Sequence, residues 1–136
     1  MAEPHRLTVR VRYPEADPMG RLHHSHLLIY FEMGRTELLR ERGLVYAEME
    51  AQGRFLAIAE VRVRYRTAAR YDDLVTVETL IREVRGARVE FANRIVRRDA
   101  DGETLIAEAE ITGALVDARG RPVRFTAEER ALLLDS

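Results

Sequence analysis

The chain has 136 residues, 46% of them hydrophobic, a formal net charge of −1 and no cysteine. That length suits one domain, expected over residues 1–136, with a core that needs no staples; without cysteine, disulfides, thiolate metal sites and cysteine nucleophiles are excluded. The near-neutral balance argues against a nucleic-acid partner held by phosphate contacts, and no apolar run approaches the roughly 20 residues that cross a bilayer, so membrane insertion is not expected.

Met1 to Arg10 is charged and alternating, unlike a secretory leader, and the cytoplasm is the expected compartment. Leu7, Val9, Val11 and Tyr13 alternate with Arg6, Thr8, Arg10 and Arg12, the period of a half-buried strand. Pro14 to Leu22, containing Pro18 and Gly20, breaks that pattern and reads as a loop. From Ser25 to Arg42 the period becomes helical: Leu27, Phe31, Gly34 and Leu38 form a stripe that Leu28 and Leu39 widen. Ser25 suits the N-cap and Gly43 a left-handed C-cap. Leu27 to Phe31 is apolar on nearly every side, as in a helix wrapped by other structure. Gly34 costs about 1 kcal/mol against alanine in mid-helix, so close packing is expected there. Residues 45–52 suggest a short second helix.

Four strands are expected next. In the first, Phe55 to Arg66, one face is assigned Phe55, Ala57, Ala59, Val61, Val63 and Tyr65. Leu74 to Val84 and Arg88 to Arg98 follow, joined by a tight turn at Arg85-Gly86-Ala87. Asp101-Gly102 is a hairpin signal leading into a strand from Glu103 to Asp117. Gly120 and Pro122 end the sheet, and Thr126 to Leu134 reads as a capped helix. The expected class is therefore α+β: a curved antiparallel sheet of about five strands, the last four in sequential hairpins, wrapped around a central long helix in the hot-dog manner.

Chemistry concentrates in Tyr13 to His26. Two acids, Glu15 and Asp17, lie in a loop that leads into a helix N-terminus, where unpaired N–H groups and a partial positive charge collect. Such donors can serve as an oxyanion hole, and a carboxylate beside the same carbonyl can attack it or activate water. Together they meet the needs of thioester hydrolysis, whose thiolate leaves readily. An acidic loop with no chemistry, merely solvated, has the same composition.

The segment resembles the signature of the 4-hydroxybenzoyl-CoA thioesterase family, including its Tol–Pal-associated branch, through Tyr13, Glu15, Asp17, Gly20, Leu22 and His24. Phe31-Glu32-Met-Gly-Arg35-Thr36-Glu37, Ala69-Arg70-Tyr71-Asp72-Asp73 and Arg121-Pro122-Val123 resemble further family motifs, so the similarity spans roughly residues 7–128. The resemblance implies an acyl-CoA thioester hydrolase releasing free acid and coenzyme A, without metal or other cofactor beyond the coenzyme A of its substrate. By position it makes Asp17 the essential carboxylate, Gly20 the residue permitting a tight loop, and His24 the source of the carbonyl-polarising N–H, its ring a helper. It also implies a homodimer or homotetramer. His23, His26, Leu27 and Ala68 stand where the family has other residues, so acyl specificity does not transfer; His23 and His26 are expected at the acyl end of the pocket or its rim.

Rival readings remain. His23, His24 and His26 invite a metal, but the i, i+4 spacing of a helical pair is missing, and no metal is expected. Glu32 could be catalytic, although Arg35 at i+3 suggests an ion pair. Arg62, Arg64, Arg66, Arg70, Arg85 and Arg88 form a basic set, of which Arg70 and Arg88 are the candidates for coenzyme A phosphates; the alternative is a solvated sheet face balanced by Glu60, Glu78 and Glu90. A non-catalytic acyl-CoA sensor, and an enoyl-CoA hydratase using Asp17 with His24, are the competing functions.

Overall fold

A computed structural model describes residues 3–134. Five strands, β1 (His5–Arg10), β2 (Phe55–Tyr65), β3 (Leu74–Arg85), β4 (Arg88–Asp99) and β5 (Gly102–Val116), form one antiparallel sheet in the order β1-β3-β4-β5-β2. Three helices accompany it: α1 (His24–Glu41), α2 (Tyr46–Ala51) and α3 (Ala127–Leu134). This is the expected hot-dog arrangement of the α+β class, with α1 against the inner face.

Two expectations about the sheet change. Only β3–β4 and β4–β5 are sequential hairpins; β2 pairs with β5 at the far edge, not with β3. The segment between Tyr65 and Leu74 holds no two-residue turn to fold β3 back on β2, whereas β5, at 15 residues, has a second edge long enough to receive β2. The single apolar face assigned to β2 is also broken. The register passes from Ile58 opposite Gly113 to Glu60 opposite Thr112, so Ala59 is the extra residue of a bulge. Leu56 and Ile58 before it, and Val61, Val63 and Tyr65 after it, share the inner face with Leu115, Ile111, Ala109 and Ala107 of β5. At the β4–β5 hairpin the turn residues are Ala100 and Asp101, with Gly102 already opposite Asp99.

Helix α1 buries Leu27, Tyr30, Phe31 and Leu38 against Val75, Val77, Phe91 and Ile95. It packs on β3 and β1, while α2 covers the start of β2. The expectation that its first turns are wrapped on every side is not met: Leu28 and Ile29 are 43% and 47% exposed. Thr126 accepts from the Glu129 N–H and Glu129 accepts from the Thr126 N–H, a capping box that starts α3.

Gly34 brings α1 down onto the sheet. A Cβ built there would sit 2.5 Å from Thr79 Oγ1 and 2.9 Å from Val77 Cγ1, both on stiff β-branched side chains. Gly34→Ala should therefore lower stability despite its better helix propensity, by about 1–3 kcal/mol of overpacking. Thermal unfolding followed by circular dichroism checks this; an unchanged or higher Tm would show that the helix lifts at no cost.

Candidate active site

The loop from β1 to α1 is held by Glu15, which is 4% exposed. Pro14 starts a single 3-10 turn over Tyr13–Glu15, so β1 ends at Arg10 and Tyr13 leaves the expected strand for solvent. The Glu15 carboxylate accepts from the Arg12 N–H at 2.8 Å, the Arg12 guanidinium at 3.0 and 3.2 Å, and the buried Tyr30 hydroxyl at 2.6 Å. Its carbonyl accepts from the His23 N–H at 2.8 Å. Burial pushes the carboxyl upward, but the Tyr30 and Arg12 hydrogen bonds outweigh it and hold the group below its ordinary value. The same burial and carboxylate push the Tyr30 phenol well upward.

Two residues on, Asp17 closes a turn. Its Oδ1 accepts from the Met19 and Arg21 N–H groups at 2.9 and 3.0 Å, and its carbonyl accepts from Gly20 at 2.9 Å. Gly20 is required for its φ of 77°, since a Cβ there would touch nothing. The turn is strapped to the Ala69–Asp73 segment by Leu22 N–H to Ala69 O and Tyr71 N–H to Gly20 O. The amide of Arg21, helped by that of Met19, holds Asp17 ionised, below the ordinary aspartate value. Oδ2 has only the Arg21 guanidinium nearby, at 3.7 Å.

An identical turn recurs at Asp117, whose Oδ1 accepts from Arg119 and Arg121 and whose carbonyl accepts from Gly120. Turn chemistry therefore explains the Asp17 hydrogen bonds; location distinguishes it. Asp17 lines a cleft of about 320 Å³ with Leu22, His24, Leu27, Tyr65 and Ile106, among others. His24 is the first residue of α1, so its N–H has no intrahelical acceptor, and none is supplied by the described residues. The residue that carries the carboxylate and the residue that starts the helix with a free amide thus line one cavity. Of its lining, Tyr65, Thr67 and Ile106 are not marked as site residues by the sequence; Tyr65 and Thr67 come from the end of the edge strand β2 and its exit, and Ile106 from β5 beside it.

The other candidates fall in different places. His23, not Ser25, is the N-cap: its Nδ1 accepts from the Ser25 N–H, so a ring does the work expected of a hydroxyl. His23 stacks on His24 with centroids 4.3 Å apart, and His26 leaves Nδ1 buried without a partner. Among the described residues no His, Asp or Glu group could hold a metal. Asp17 and His24 share no hydrogen bond among the described residues. Arg70 is exposed beside the Asp17 turn, its backbone bridged to Arg21. Arg88 opens β4, seven residues from Ile95 at the cleft end, about 23 Å away; it pairs with Glu90. Arg64 and Arg66 pair with Glu108 and Glu110 across the outer face. Arg35 forms no ion pair with Glu32; it is buried over the Phe91 ring at 5.9 Å.

A family model described as the thioesterase-like superfamily matches residues 11–133. The chain is 34% identical to the acyl-CoA thioesterase YbgC of Haemophilus influenzae over 125 residues, 90% of this chain and 89% of that protein. It is 30% identical to YneP of Bacillus subtilis over 87 residues, 64% of this chain and 63% of that relative. Its fold matches the crystal structure of a mutant 4-hydroxybenzoyl-CoA thioesterase in complex with 4-hydroxybenzoyl-CoA, with TM-score 0.89 at 19% identity over 97% of this chain and 99% of that one.

The lowered Glu15 pKa has a sign. Its stabilisation is complete above the unfolded value near 4.5 and is lost as pH falls through the lower folded value. Glu15→Gln should cost about 1–3 kcal/mol at neutral pH and flatten the loss of stability between neutral pH and about 3. Urea unfolding at several pH values checks both; parallel wild-type and variant curves would remove Glu15 from this role.

Proposed function

The chain belongs to the thioesterase-like superfamily and hydrolyses acyl-CoA thioesters, and from that premise we propose that Asp17 and the His24 amide carry the reaction. The carbonyl oxygen sits at the His24 N–H, which stabilises the oxyanion as it forms. Asp17 Oδ1 is occupied by the turn, so Oδ2 faces the carbonyl carbon. It either adds to the carbon, giving an anhydride that water then opens, or takes a proton from the attacking water. Both routes expel coenzyme A thiolate, which takes up a proton, and both yield the free acid. Because that thiolate leaves readily and the charge is met by an amide, the reaction asks for no metal or redox cofactor. The observation that carries the reading is the convergence of Asp17 and a free helix-start amide on one cleft. Exposed Arg70 beside the turn is the proposed phosphate contact, and the cytoplasm the proposed place of action.

The proposed working unit is a homodimer, or a tetramer built from two. Strand β2 is a sheet edge, and its inner face exposes Ile58, Val61 and Tyr65 beside Leu28, Ile29 and Met33 of α1. A second copy paired along β2 covers both the edge and this apolar surface.

Asp17→Asn, which keeps the turn acceptor, should lower kcat by about 10² to 10⁴ with little change in KM, measured by thiol release; full activity in pure protein would end the assignment. In the wild type the acid side of kcat/KM should stay level down to the ordinary aspartate value of 3.8. Label from ¹⁸O-water in the Asp17 carboxylate after a single turnover would establish direct attack with water opening the anhydride at the enzyme carbon, since general-base catalysis never labels that carboxylate. Val61→Asp should yield monomer by light scattering; an unchanged mass moves the interface elsewhere.

A further inference from the structure

Helix α1 leans on β3 and β1 and leaves a seam along β2. On its β2 flank His24, Leu28, Glu32, Arg35 and Leu39 recur at helical spacing, while β2 runs oppositely, with Tyr65 near His24 and Ile58 and Leu56 near Arg35. One end of the seam is the Asp17 cleft. At the other end is a cavity of about 180 Å³ lined by Glu32, Arg35, Tyr46, Leu56 and Ile58, among others. Between them the walls are apolar, with Leu28 and Val61 43% and 39% exposed in the single chain; the second copy proposed along β2 roofs them and closes the seam. From His24 to Arg35 the helix rises about 16 Å.

Arg35 gives this far end its character. It is 8% exposed, and among the described residues no ion pair or hydrogen bond engages its guanidinium. The nearest acid, Glu32, is exposed to water, and the Tyr46 hydroxyl is taken by the Leu56 N–H at 2.9 Å. Among the described residues its one engagement is the Phe91 ring, 5.9 Å from the guanidinium carbon, which supplies no acceptor for the N–H groups; a buried charge so held is costly, and an alkyl end lodged against it would supply none either. A carboxylate matches the guanidinium fork with two parallel hydrogen bonds.

We propose that the α1–β2 seam holds the acyl chain and that Arg35 selects acyl-CoAs bearing a carboxylate at the far end, that is, thioesters of dicarboxylic acids. The inference rests on the catalytic reading above, because it starts the chain at Asp17. Glu32 opposes the incoming anion in part, but its exposure leaves it screened.

The test compares adipoyl-, suberoyl- and sebacoyl-CoA with hexanoyl-, octanoyl- and decanoyl-CoA. Affinities are measured by calorimetry on Asp17→Asn, in which turnover is slowed, with free thiol monitored during the titration, and kcat/KM on the wild type. At the length that fits, the carboxylate ligand should bind about tenfold more tightly or better than its alkyl counterpart. Arg35→Met should bring that ratio towards one, and Arg35→Lys should retain part of it. Alkyl chains bound as well at all three lengths, or a ratio unmoved by Arg35→Met, would overturn the proposal while leaving Asp17 in place. If neither series binds, this proposal falls, and the loss or retention of thiol release in Asp17→Asn with other acyl-CoAs judges the catalytic reading separately. Should Arg35→Met not fold, the wild-type ratio with Arg35→Lys decides.

Discussion

The buried carboxylate of Glu15 is the joint on which the site hangs. It fastens the end of β1 through Arg12 and the central helix through Tyr30, while the Glu15 backbone carbonyl holds the helix start through the His23 amide. An acid this enclosed is tolerable only when hydrogen bonds and a guanidinium repay its desolvation, and here four contacts do so. Take away this joint and nothing fixes the Asp17 turn relative to the first amide of α1. The geometry of the proposed chemistry is thus inherited from a residue that has no part in it.

Glu15 and Asp17 are one residue apart and do unrelated work. The first is sealed among protein donors; the second is 19% exposed at its side chain and keeps one oxygen open to a cleft. The copy of the Asp17 turn at Asp117 shows that the backbone motif is generic. What makes the first copy a candidate site is the strap to Ala69–Asp73 on one side and the start of α1 on the other. A carboxylate and a helix terminus are each ordinary; brought to one cavity they can bind and polarise a thioester.

Much of this was legible in the sequence because the signals were local. Period 2 found the strands, period 3.6 found α1, and Gly34 was read as a close contact, as its neighbours Val77 and Thr79 bear out. The loop composition pointed to Glu15 and Asp17 ahead of a helix start, and the family resemblance added Gly20 and His24. Misreadings arose where a non-local partner decides. Whether β2 pairs with β3 or β5 depends on the edge β5 leaves open. The Ala59 bulge reverses a face without altering the alternation of letters. Arg35 suggested an intrahelical pair with Glu32, but an aromatic ring beneath the helix took it instead. No spacing rule links Glu15 to Tyr30, because their contact is made by the fold.

The looseness of the seam has an evolutionary side. Strand β2 is attached to the sheet through β5 alone, and α1 takes its purchase from the opposite half. Side chains facing one another across that gap can be exchanged without disturbing the packing under Gly34 or the joint at Glu15. A scaffold so divided can hold its bond-breaking end constant while the other drifts, and new acids become accessible to it through changes at a handful of positions.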